Sequence, residues 1–238
     1  MRLALVLAAM ICLMPACVLA DLPVFTATEY YDAFTPEERT FALTVQTHFQ
    51  NARSCWKQKV VPGKSLTRKL INETVRNCRR FWPQDPDMLY SFFTLIISES
   101  GGNNIGNPDD PSYGVCHATY ESARNACKVF GFEAPKAKYL FKEKLQEDVA
   151  FNLLCGAGEL KLAMAYCNND KVRGILAYKY GVKGLNRAIN SLGDEPITEL
   201  SVWKNYVGLY EWIRCLRDRV ITNADANCGC LTPMPVKK

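Results

Sequence analysis

Glu99 is the side chain in this sequence best set for proton chemistry. Leu95 lies four residues before it and Ile96 three, so on a helix its carboxyl shares a surface with an apolar stripe. Ser100 and then Gly101-Gly102-Asn103-Asn104 follow it directly, a helix end running into a flexible loop. Desolvation against aliphatic groups disfavours the anion, and a helix C-terminus is the negative end of a dipole. Both effects predict a raised pKa for Glu99. A carboxyl that keeps its proton near neutral pH is what a general acid needs to protonate a glycosidic oxygen. A second carboxylate could come from Asp109 or Asp110, ten residues further on. Glycoside hydrolysis would need it about 5–5.5 Å from the acid if retaining, or about 6.5–9.5 Å if inverting. Asp109-Asp110-Pro111 also reads simply as a solvated turn.

The histidines and cysteines narrow the other chemistries. His48 and His117 are the only histidines, and no C-x-x-C pair exists, so zinc is rejected and no metal or cofactor is expected. A cysteine nucleophile is not expected either, because no second histidine accompanies Cys116 and His117 as a base. Met1-Arg2 followed by the uncharged stretch 3–20, broken by Pro15 and closing on Val18-Leu19-Ala20, reads as a secretory signal peptide removed after Ala20. A retained anchor and lipidation at Cys17 are the rival readings, one short for a span and the other a poor lipoprotein box. Nine cysteines follow Ala20, and export to an oxidising compartment makes disulfides their default fate, with at least one thiol left over. If one helix runs from 149 to 168, Cys155 and Cys167 lie about 18 Å apart and do not pair. Apolar residues at 48% and charged residues at 22% exclude a disordered chain or a collagen. A net charge of +5 is too small and dispersed for nucleic acid but suits an anionic wall or membrane surface.

The elements that would carry these residues are helical nearly throughout. Thr35-Pro36-Glu37-Glu38 is a capping box with proline at the first helical position, opening a helix expected to reach about Ser54. Others are expected over 66–81, from Asp85-Pro86 to Gly101-Gly102, from a Thr119 cap to Gly131, and over 138–144, 147–168, 171–180, 184–191 and 197–221. Leu89, Phe92, Phe93, Ile96 and Ile97 fall on one face of the helix that ends at Glu99. Trp203, Tyr206, Tyr210 and Ile213 also follow helical spacing and read as core, with Arg214, Arg217 and Arg219 as a solvated face. No alternating strand pattern longer than four residues stands out, so the class is all-α with no linker that separates domains.

Four short segments, in order, carry a family resemblance. Ile97-Ser98-Glu99-Ser100-Gly101 resembles the Glu-Ser motif that closes the catalytic helix of soluble lytic transglycosylases. Tyr113-Gly114-Val115-Cys116-His117, with Thr119 to Arg124 after it, resembles their Gly-Leu-Met-Gln segment and the helix start that follows. The stretch from Asn152 to Leu160 is similar to their Asn-Ile-x-x-Gly-x-x-x-Leu helix, and Ala177-Tyr178-Lys179-Tyr180-Gly181 resembles their Ala-Tyr-Asn-x-Gly motif. The resemblance implies a lysozyme-like helical domain over 85–192. The signal peptide (1–20) and an N-terminal helical extension (21–84) precede it, and a C-terminal helix with an irregular tail (193–238) follows. It implies cleavage of the β-1,4 bond between N-acetylmuramic acid and N-acetylglucosamine in peptidoglycan, with Glu99 as single acid and base and no cofactor. The muramyl 6-hydroxyl would attack to close a 1,6-anhydro ring. In that arrangement Ser100 would orient the acid, Gly114 would let backbone approach the sugar, and Tyr178 would line the cleft near Glu99.

Three departures from the family pattern bear on activity. His117 stands where the family has glutamine, and would still donate to an acetamido carbonyl. Cys116 replaces methionine, as an apolar filler or a disulfide partner. Lys179 replaces asparagine, and a cation beside Glu99 would lower its pKa unless it points outward. Asn152 is expected to be a structural hydrogen-bonder. The rival functions are a lysozyme-type hydrolase using Asp109 or Asp110 and a wall-binding protein of weakened activity. A third, an unrelated disulfide-rich binding domain, would make the four-segment match a coincidence.

Overall fold

The computed structural model describes residues 33–49, 67–104, 106 and 111–222. The stretch 1–20 expected to be a signal peptide, Asp109, Asp110, Cys55, Cys228, Cys230 and the tail from Asn223 lie outside the described residues. The described residues from Phe34 on belong to one compact unit. Among the described residues it is all-α, with 76% of positions helical, nine helices and two short strands.

The first helix, α1 (Pro36–Leu43), starts as its capping box requires. Thr35 Oγ1 accepts from the Glu38 amide and the Glu38 carboxylate accepts from the Thr35 amide at 2.7 Å. Arg79 then grips the same carboxylate with two donors, tying α1 to α2 (Thr67–Phe81). The α-helical part of this run ends at Leu43, where the chain widens into a π-helical stretch over Thr44–Phe49, and the expected end near Ser54 lies outside the described residues. Thr44 Oγ1 donates back to the Thr40 carbonyl at 2.8 Å, the kind of back-bond that distorts a helix.

The helix that ends at Glu99, α3 (Asp87–Ser100), is buried on all sides rather than on one stripe. Alongside the expected apolar positions, Met88, Tyr90, Ser91, Thr94 and Leu95 are also buried. The N-terminal helix α1, α2 and the long C-terminal helix α9 (Ser201–Thr222) enclose it. Tyr206 on α9 is buried and donates to the Ser91 carbonyl at 3.0 Å, consistent with its reading as core. Tyr210 and Lys171 both bond the Asp87 carboxylate at the start of α3. Of the α9 arginines expected on a solvated face, Arg214 is exposed, lying over the Tyr210 ring, while Arg217, over the Tyr90 ring, and Arg219 are half-buried.

A second layer centres on α6 (Val149–Tyr166), against which α2, α4 (Tyr120–Phe130), α5 (Lys138–Glu147) and α7 (Lys171–Tyr180) pack. Asp148 caps α6 through the amides of Ala150 and Phe151. The helix α8 (Val182–Leu192) packs on α7, and a 3-10 turn at Ile197–Glu199 leads to α9. Between α3 and α4 lies a hairpin the alternation rule overlooks, because each strand has two residues. Strand β1 (Ser112–Tyr113) pairs antiparallel with β2 (Ala118–Thr119), leaving 114–117 as its loop.

Candidate functional site

Glu99 reaches its place because α3 stops at Gly101, whose left-handed φ of 64° turns the chain away. The side chain is 18% exposed, neither sealed in the core nor free in solvent. Two cations or potential cations face it from other parts of the chain. Lys179 Nζ, near the end of α7, donates to Glu99 Oε1 at 2.5 Å and to Ser98 Oγ at 3.0 Å. His117 Nδ1, in the hairpin loop, stands 3.7 Å from Glu99 Oε2.

This geometry overturns the expected raised pKa of Glu99. Desolvation is the largest influence and does push it up, but His117 and Lys179 together outweigh it, and the carboxyl is held below its ordinary value. Lys179 therefore points inward, in the orientation that opposes an acid role. In this state Glu99 is an ion-paired carboxylate, able to accept a proton rather than give one.

The hairpin loop that carries His117 is braced from behind. Asn152 on α6 is fully buried and uses both ends of its amide. Its Nδ2 donates to the carbonyls of Tyr113 (2.7 Å) and Leu145 (3.0 Å), while its Oδ1 accepts from the Cys116 amide (2.9 Å). This is the structural role expected of it. Tyr178 adds a second brace, its hydroxyl donating to the Cys116 carbonyl at 2.9 Å. Burial raises the Tyr178 phenol well above its ordinary pKa, so it stays a donor. His117 itself sits at φ 48°, a conformation rare for a residue with a Cβ, and its Nε2 is buried with no partner.

The remaining expected site residues take other contacts here. Ser100 Oγ donates to the Ile96 carbonyl and accepts from the Gly102 amide, which finishes α3 rather than gripping the acid. Ser98, which sequence reasoning passed over, is the hydroxyl that shares Lys179 with Glu99. Gly114 is buried at φ 66°, and a Cβ there would stand 2.4 Å from Asn152 Nδ2 and 2.7 Å from the Leu145 carbonyl. The close approach it permits in this structure is to the Asn152 brace. Gly156 likewise makes room for Cys116, whose Sγ would lie 2.5 Å from a Cβ.

One further carboxyl was not singled out from sequence. Glu159 on α6 accepts from Ser122 Oγ at 2.6 Å, and burial, against that bond, pushes its pKa up to about 8. Its only sequence signal is a charged residue in an otherwise apolar helical stretch. Among the described residues no three His, Cys, Asp or Glu side chains converge to hold a metal ion, and no helix is long and apolar enough to cross a membrane.

No known protein family, curated protein or solved structure matches this chain.

Proposed function

We propose that this chain is an exported peptidoglycan lytic transglycosylase on a lysozyme-like helical domain, acting through Glu99. The observation that carries the reading is the meeting of the four motif segments in space. Glu99 ends α3, His117 faces it from the hairpin loop, Asn152 braces that loop from α6, and Tyr178 and Lys179 close on it from α7. Residues up to 80 positions apart thus surround one partly exposed carboxyl. The glycan strand would enter at the accessible side of Glu99 and displace Lys179 from it. With Lys179 displaced and His117 turned to the acetamido carbonyl, a carboxyl in this desolvated setting regains its proton and can pass it to the leaving glycosidic oxygen. The acetamido group of the muramyl sugar stabilises the anomeric centre. Glu99 then takes the proton of the muramyl 6-hydroxyl as that oxygen closes the 1,6-anhydro ring, and no water is consumed. The leader at 1–20 and the +5 charge agree with an exported protein that meets an anionic wall.

The Lys179–Glu99 pair favours a second reading, a wall-binding protein whose acid has been silenced. One digestion separates the readings. Purified sacculi incubated with the wild type should release soluble anhydro-muropeptides, and Glu99→Gln should keep the helical signal while losing nearly all release. Products ending in reducing muramic acid indicate the hydrolase alternative. Binding of sacculi with no release by the wild type supports the silenced reading and removes the enzyme.

A further inference from the structure

Two thiols that the proposed reaction does not use lie face to face between α4 and α6. Cys127 Sγ and Cys155 Sγ are 3.7 Å apart, and both residues are buried, at 6% and 0% exposure. They sit in one apolar cluster with Ala118, Leu145 and Phe151, so the two helices are already packed at van der Waals contact around them. A disulfide needs sulfurs about 2.05 Å apart, a closure that side-chain rotation on packed helices can supply. Cys215 is itself disulfide-bonded, whereas Cys78, Cys116, Cys127, Cys155 and Cys167 are free in this structure.

We propose that Cys127 and Cys155 form a structural disulfide when the chain is oxidised, covalently joining α4 to the helix that carries Asn152. The inference does not depend on what the protein does to glycans. Before α4 closes on α6 either thiolate can attack first, and the balance of atoms and electrons is the same. When Cys127 goes first, it attacks one sulfur of an oxidant disulfide, either a protein thiol oxidase or oxidised glutathione, and expels the other sulfur as a thiolate. Cys155 loses its proton and attacks the Cys127 sulfur of the mixed disulfide, expelling the second oxidant thiolate. Two protein thiols become one disulfide and the oxidant gains two electrons. Burial in the native state places this step during folding, before α4 closes on α6.

The test is to refold the full reduced chain with oxidised and reduced glutathione, block free thiols with N-ethylmaleimide in guanidinium chloride so that buried thiols are reached, and digest with trypsin without reductant. The expected product is the peptide 125–128 linked to the peptide 145–161, two hydrogens lighter than the separate pair. Maleimide on both Cys127 and Cys155 overturns the proposal, as does a peptide linking Cys155 to Cys116, the other thiol packed against this turn of α6. A second measurement guards against scrambling. Dithiothreitol should lower the melting temperature of the wild type more than that of Cys155→Ala, and equal shifts overturn the proposal.

Discussion

At Glu99 the local environment and the tertiary partners pull in opposite directions, and the partners win. An apolar helix end raises a carboxyl's pKa, but an ammonium at 2.5 Å and an imidazole at 3.7 Å favour the anion more strongly. Lys179→Asn removes the ammonium and leaves desolvation and the His117 contact in place. The Glu99 pKa should then rise toward or above its ordinary value, seen by carboxyl-carbon NMR titration of the labelled side chain. If the chain is a transglycosylase, the same variant should release muropeptides about tenfold faster near neutral pH, since a one-unit rise in pKa multiplies the protonated fraction about tenfold. An unmoved Glu99 titration in Lys179→Asn would show that the ion pair does not set its charge.

The hairpin between α3 and α4 shows how a very short element can be held by side chains in place of ladder bonds. Two pairs of residues form its strands, and Asn152 and Tyr178 supply the bonds that keep its loop in place. Asn152→Ala leaves the buried Cys116 amide without its acceptor and takes a donor from each of two carbonyls. Each such group costs about 1–3 kcal/mol, partly relieved by relaxation, so a loss on the order of 3 kcal/mol is expected in urea unfolding. His117 would lose its position with the loop, so muropeptide release should fall alongside stability. Asn152→Asp keeps the acceptor for Cys116 but faces two carbonyls with an anion, and it should be no milder than alanine. The change from α to π geometry after Leu43 belongs here too, because Thr44 bonding back to Thr40 disturbs the helix that the capping box starts well.

Across the molecule, Glu159 makes one separable contribution to how stability depends on pH. The folded chain holds its proton up to about pH 8, whereas an unfolded chain gives it up near 4.5. The raised folded value means that this stability is fully present below about pH 4.5. It is lost as pH rises through the window to about 8, by up to about 1.4 kcal/mol per unit. Glu159→Gln keeps an acceptor for Ser122 without a proton to lose. It should remove most of that slope and be more stable than the wild type at pH 8 by up to about 5 kcal/mol, with little difference at pH 4. Urea unfolding at the two pH values measures this, and parallel pH profiles would refute it.

Caps, glycine stops and helical periodicity were legible along the chain because each depends on residues within one or two turns. Thr35 with Glu38, the Gly101 and Gly131 stops and the Thr119 cap all lie where the sequence put them, and the all-α class follows from them. Glu99, His117, Asn152, Tyr178 and Lys179 could be singled out by type, and the possible conflict between Lys179 and an acid could be foreseen. The direction of Lys179 could not, since it depends on how the end of α7 docks beside α3, 80 residues away in sequence. The same holds for the 36-residue reach from Asn152 to Cys116 and for the Glu159–Ser122 bond. Sequence alone determined which helices form and which side chains are able to do chemistry. Packing decided which of those side chains meet, and so the charge each one carries, because a pKa is set by neighbours within a few ångströms and those neighbours come from distant parts of the chain.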